Sequence, residues 1–219
     1  MINGFIFDLD GVLADTAPLH FMAWQKLAAE LNISIDLTFN ERLKGISRRD
    51  SLELILDHGG QAAHFTEEEK QQLADRKNRH YCQLLEQLTA EDLLPGVHPF
   101  LQAAKEKEIL CAVASASHNA PHILKQLMVT DFFAAVVDPA SLSKGKPDPE
   151  IFLKAAAALN LGVQEVVGFE DAQAGIEGLR TAGIFAVGID PKGQLKKADL
   201  LVPSFTELSP DLFNKYKKT

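Results

Sequence analysis

The constraint that narrows the fold most is an alternation of short apolar runs with helix-length stretches. Gly4-Phe5-Ile6-Phe7-Asp8-Leu9 is aromatic and apolar and ends in Asp10-Gly11, which predicts a buried strand running into a turn. Leu110-Cys111-Ala112-Val113-Ala114 reads the same way, and weaker runs follow at 134–137, 165–168, 185–189 and 200–202. Between the later runs, residues 149–159 and 172–182 carry apolar side chains three and four apart, the spacing of one helix face. Strand and helix in alternation favour a parallel sheet. The expected fold class is therefore α/β, a Rossmann-like doubly wound parallel sheet with helices on both faces and ligands beyond the carboxyl ends of its strands.

Residues 16–91 break the alternation, with helical patterns at 18–31, 48–58 and 66–88 and no convincing strand. Thr66 followed by Glu69 is a capping-box signature for the last of them. This segment predicts an inserted α-helical domain over 16–91, set into a sheet domain made of 1–15 and 92–219, with Pro95-Gly96 marking the return.

At 219 residues and 46% hydrophobic, the chain can bury a substantial core. A formal net charge of −8 argues against an extended nucleic-acid surface, which requires many Lys and Arg against phosphates. It leaves room for a small anionic substrate met by locally placed cations. No apolar run reaches the roughly 20 residues of a membrane span, and the start of the chain lacks a signal-peptide pattern, so a cytoplasmic protein with no membrane partner is expected. Cys82 and Cys111 have no metal-ligand spacing and read as reduced thiols. The Lys-rich end at 215–218 reads as a solvated tail.

Chemistry concentrates at the predicted strand ends. Asp8 and Asp10 lie two apart, so both carboxylates can emerge on one side of the chain. Asp-Gly is also a common turn dipeptide, but a turn does not explain Asp8 inside an apolar strand. Two such acids repel unless a cation or proton intervenes. Glu170-Asp171 closes another strand ahead of a helix, where acids also serve as ordinary caps. Together the two pairs would form a hard oxygen site suited to Mg²⁺. Ser115-Ala116-Ser117 ends the second strand and offers a hydroxyl and backbone N–H groups to phosphate, or simply caps a helix. Lys146, in Lys146-Pro147-Asp148-Pro149, could neutralise carboxylates and phosphate, or be a solvated loop charge.

These four segments, in this order, resemble the four motifs of the haloacid dehalogenase superfamily: Asp8-Leu9-Asp10-Gly11-Val12, Ser115, Lys146-Pro147-Asp148-Pro149 and Gly168-Phe169-Glu170-Asp171-Ala172. The resemblance covers the whole chain. It implies Asp8 as nucleophile, Asp10 as general acid/base, Ser115 as phosphate-binding hydroxyl and Lys146 as neutralising cation, with Asp8, Asp10, Glu170 and Asp171 around Mg²⁺. An acid two residues beyond the nucleophile suits phosphoryl transfer and disfavours dehalogenation.

Within the superfamily, residues 15–24 and 40–51 are similar to the cap of the β-phosphoglucomutase family. That similarity implies sugar-phosphate contacts from Thr16, His20, Trp24, Lys44, Gly45, Arg48 and Ser51 on the cap and from Ala116, Ser117 and Asn119 on the core. Arg48, Arg49 and Ser51 could otherwise open a surface helix, and His20 and Trp24, four apart, could be cap core. The implied reaction interconverts β-glucose 1-phosphate and glucose 6-phosphate in a monomer. A sugar-phosphate phosphatase is the nearest rival, and a non-catalytic sensor would not need both Asp8 and Asp10. Two departures touch the choice of sugar: Asp75 and His118 stand where the family pattern can place lysines.

Overall fold

The computed structural model describes residues 2–215; of the lysine-rich end, only Lys215 is among them. A six-stranded parallel sheet in the order β3-β2-β1-β4-β5-β6 forms the centre. Its strands are β1 (Gly4–Phe7), β2 (Leu110–Val113), β3 (Ala135–Val136), β4 (Val166–Glu170), β5 (Phe185–Ile189) and β6 (Leu200–Val202). Each predicted apolar run but one is a strand or contains one. The run at 165–168 is displaced by the structure, because Glu165 belongs to a short 3-10 turn and the strand continues to Glu170.

β1 is central because it is apolar on both faces. Gly4 to Phe7 pair with Leu110 to Val113 on one side and Val166 to Phe169 on the other, and all four residues are buried. Phe5 and Phe7 point into one layer, where Phe7 stacks on Phe169 at 4.8 Å and Phe5 meets Phe100 at 5.2 Å. Ile6 points into the other layer, among Phe152, Ile176 and Leu179. Helices α5 (Val97–Glu106) and α6 (Ala120–Gln126) contribute to the first layer, α7 (Glu150–Ala158) and α8 (Gln173–Thr181) to the second. The strand order reverses between β1 and β4, so the carboxyl ends of those strands diverge around a crevice.

Four helices lie between β1 and α5: α1 (Ala17–Glu30), α2 (Leu37–Asn40), α3 (Arg48–His58) and α4 (Glu67–Leu85). They share an apolar cluster of their own, with Trp24, Leu27, Phe39, Leu52, Ile55 and Leu73 at its centre. The expected capping box is present: Thr66 Oγ1 accepts from the Glu69 N–H, and the Glu69 carboxylate accepts from the Thr66 N–H at 2.8 Å. The predicted helix at 66–88 stops at Leu85, and α2 was not anticipated, being a single turn capped by Asp36. The outgoing and returning segments run side by side, joined by the Leu94 N–H to Leu13 carbonyl bond of 2.9 Å and a bridge between Ala14 and Leu93. Among the described residues, no helix is long and apolar enough to cross a membrane.

Candidate active site

Parallel pairing brings three of the four motifs together without further assumption. Asp8 follows β1, Ser115 lies two residues beyond β2 and Glu170 ends β4, so adjacent strands deliver them to one crevice. The fourth motif arrives from the loop before α7, where a cis peptide joins Lys146 to Pro147. Lys146 is 4% exposed, and its Nζ donates to Asp8 Oδ1 at 2.6 Å and to Glu170 Oε1 at 2.5 Å. The reading of Lys146 as a solvated loop charge is thereby excluded. Burial alone would lower its pKa, but the charges of Asp8 and Glu170 outweigh burial and raise it.

Asp8, Glu170 and Asp171 each offer a carboxylate oxygen within 4.8 Å of the others. One lysine cannot neutralise three acids in a buried site. Burial, followed by the charges of Glu170 and Asp10, pushes the Asp8 carboxyl up to about 7 even with Lys146 opposing the shift. Asp171 is raised well above the ordinary range by burial and then by Glu170 and Asp8. Such a cluster of hard oxygens with residual negative charge fits a divalent cation. Two glycines make room for it. A Cβ at Gly11, whose φ is +80°, would stand 2.2 Å from Asp171 Oδ2, and one at Gly175 would stand 1.9 Å from Glu170. Glu170 is the most committed member, since its second oxygen accepts from the N–H groups of Asp171 and Ala172 at 3.0 and 3.1 Å.

The Asp10 carboxylate does not join that cluster. It turns toward the inserted helices, accepting a hydrogen bond from Thr16 Oγ1, with His20 Nε2 at 3.5 Å and the Tyr81 hydroxyl also at 3.5 Å. The sequence expectation of Asp10 as a metal ligand is therefore corrected for its side chain: Thr16 and the first turn of α1 draw the carboxylate away. Burial would raise its pKa, yet His20, the Thr16 hydroxyl and Lys77 overcome burial and hold it below the usual range.

One cavity is lined by Asp8, Asp10 and Asp171 from the sheet side and by residues of the inserted helices facing them. Of the expected substrate contacts, His20, Trp24, Lys44, Gly45, Arg48, Ser51, Ala116, Ser117 and Asn119 all line it. Thr16, Ser115, Lys146 and Glu170 are not among its lining residues, and each is buried. Ser115 is engaged there, its Oγ accepting from the Ser117 N–H at 3.1 Å. Trp24 serves both readings, because it lines the cavity and belongs to the apolar cluster of the helical unit. Gly45 adopts φ +72° beside Ala172, where a Cβ would approach within 2.9 Å. Ser47 caps α3, which sets Arg48 and Ser51 on the first turn facing the cavity.

Lys77 and Asn78 were not anticipated. Lys77 is 3% exposed, donates to or shares a proton with His20 Nδ1 at 2.8 Å, and has its Nζ 4.5 Å from the Tyr81 ring centre. Burial, then the Arg48 charge, depresses its pKa to about 7. Asn78 accepts from Asn119 Nδ2 at 2.9 Å and so ties α4 to the start of α6. A lysine therefore does reach the cavity from α4, two residues beyond Asp75. His118 is turned outward, half exposed, with Nδ1 3.8 Å from Asp138 Oδ1.

The profile of haloacid dehalogenase-like hydrolases matches residues 2–183, and the chain belongs to that family. It is 49% identical over 213 residues to the β-phosphoglucomutase of Bacillus subtilis, covering 97% of this chain and 94% of the relative. The crystal structure of a β-phosphoglucomutase from Clostridium difficile superposes with a TM-score of 0.95 at 44% identity, covering 98% of this chain and 96% of that one. A phosphorylated carbohydrates phosphatase of Thermotoga maritima is 32% identical over 185 residues, covering 84% and 82% of the two chains.

Proposed function

We propose that this chain is a β-phosphoglucomutase that interconverts β-D-glucose 1-phosphate and glucose 6-phosphate, with an aspartyl phosphate on Asp8 and a β-glucose 1,6-bisphosphate intermediate. The observation that carries the reading is the second set of phosphate-seeking groups, Arg48, Lys44, Ser117 and Asn119, in the same cavity as Asp8 and Asp10. A phosphatase needs to hold one phosphate; a mutase must hold two. The helices of residues 16–91 act in this reading as a cap that excludes water from the aspartyl phosphate and favours a sugar hydroxyl as acceptor.

In the first half-reaction a hydroxyl of the sugar monophosphate attacks the phosphorus on Asp8. The Asp8–phosphorus bond breaks, and Asp10 takes the hydroxyl proton. Held below the usual carboxylate range by His20 and Thr16, Asp10 starts as the base. After the bisphosphate turns, Asp8 attacks the other phosphorus, the sugar oxygen leaves, and Asp10 returns its proton to that oxygen. Lys146 neutralises Asp8 between transfers and keeps its carboxylate aimed into the cavity. Mg²⁺ on Asp8 and Asp171, with Glu170 beside them, would offset the charge of the transferring phosphoryl group. Removal of the cation by a chelator is expected to abolish turnover, and readdition to restore it. Asp171→Ala should weaken Mg²⁺ binding by at least about tenfold in a calorimetric titration, and unchanged affinity would place the cation elsewhere.

The mutase reading turns on Arg48. An Arg–phosphate pair is charge-assisted and can be bidentate, so Arg48→Ala should cost on the order of 2–4 kcal/mol, roughly 30-fold to 1000-fold, in isomerisation. Hydrolysis of a small aryl phosphate, which has no second phosphate, should fall far less. Equal losses in both assays would make Arg48 a support of the fold instead.

A further inference from the structure

Arg48 does not face the cavity unopposed. Its Nη1 lies 3.8 Å from Asp75 Oδ1, and that same oxygen accepts from Gln71 Nε2 at 3.1 Å, one turn earlier on α4. The partners come from α3 and α4, so their meeting is set by the packing of two helices and not by spacing along one. On the cavity side the neighbouring charge is a like one, the buried Lys77, whose own pKa falls first through burial and then through Arg48. Asp75 thus supplies the negative charge that steadies Arg48 beside Lys77. Once a phosphate reaches Arg48, the carboxylate becomes its like-charged neighbour.

We propose that Asp75 is a positioning residue for Arg48 which both holds the guanidinium before phosphate arrives and weakens its grip on the non-reacting phosphate, so that a bound sugar bisphosphate lets go and turns. The proposal rests on the bisphosphate exchange described above. Its chemistry is a competition: the guanidinium is shared between Asp75 and phosphate, and each loosens the other. Because the Asp75 side chain is 48% exposed, solvent screens the effect to a modest factor.

The test is Asp75→Asn, compared with the wild type for calorimetric binding of β-glucose 1,6-bisphosphate and for kcat and KM of isomerisation. The neutral amide should tighten bisphosphate binding by about threefold to tenfold and lower kcat by a similar factor, because turning requires release. In an Arg48→Ala background the same substitution should leave bisphosphate affinity where Arg48→Ala alone puts it. A residue that merely supported the fold would weaken binding when changed. Unchanged or weaker binding by Asp75→Asn overturns the proposal, as does equal tightening without Arg48. Tighter binding with kcat undiminished overturns the release half of it. A wild type that hydrolyses without isomerising defeats the proposed function, and the binding comparison still reads the effect of Asp75 on phosphate.

Discussion

Asp8→Asn is expected to lower both isomerisation of β-glucose 1-phosphate and hydrolysis of an aryl phosphate by at least about a thousandfold. The amide keeps the shape of the carboxylate but is no nucleophile. It also withdraws one oxygen and the negative charge from the carboxylate cluster, so that Lys146 Nζ faces a neutral amide oxygen in place of one of its two carboxylate partners. Steady-state rates in both assays measure the loss, and mass spectrometry of quenched enzyme should find the phosphoryl adduct on the wild type alone. A variant that kept a tenth of wild-type turnover would end the covalent mechanism.

Lys146→Met should damage stability as well as activity. The lysine side chain is 1% exposed, and it is the buried cation between Asp8 and Glu170, which are 5% and 0% exposed. Methionine fills the same space without charge, leaving two carboxylates in a site where burial already penalises them. Removing one partner from such a group typically costs about 3–5 kcal/mol. The sign of the pH dependence follows. Without Lys146, which opposes the upward shift that burial imposes on Asp8, the folded-state pKa of Asp8 lies still further above its unfolded value, so the folded variant binds protons more tightly than the unfolded one. The stability deficit against the wild type should therefore be largest near pH 8 and shrink as pH falls toward 5.5. Denaturant unfolding of both proteins at the two pH values, without divalent cation, is the measurement. An equal deficit at both would mean that Lys146 acts through packing alone.

Much of the catalytic end of this site was legible in the sequence because parallel sheets make position along the chain translate into position in space. Acids that terminate apolar runs must meet at the carboxyl edge, and Asp8, Glu170 and Asp171 do. The helical side was harder to read. Lys77 sits in Asp75-Arg76-Lys77-Asn78, which looks like a solvated charge run on a helix rich in charge. A signal was there: Leu73, Lys77, Tyr81 and Leu85 recur at four-residue spacing, so Lys77 falls on the one stripe of α4 that is buried. What marks it as a cavity residue and not a snorkelling surface lysine is its contact with His20 on α1, which depends on how two helices pack. Asp10 was misplaced in part for the same reason. Its spacing from Asp8 sets the side of the chain it emerges on, but Thr16 and His20 decide where its carboxylate turns.

In the proposed mechanism Arg48 and its neighbours grip a second phosphate, and isomerisation, not hydrolysis, is therefore the reaction expected of this cavity. The most direct test feeds the wild-type enzyme β-glucose 1-phosphate with Mg²⁺ and a trace of β-glucose 1,6-bisphosphate, and follows glucose 6-phosphate and free phosphate in the same sample. Glucose 6-phosphate should accumulate at least about a hundredfold faster than phosphate is released. Brisk phosphate release with no glucose 6-phosphate would contradict the account and leave a sugar-phosphate phosphatase in its place.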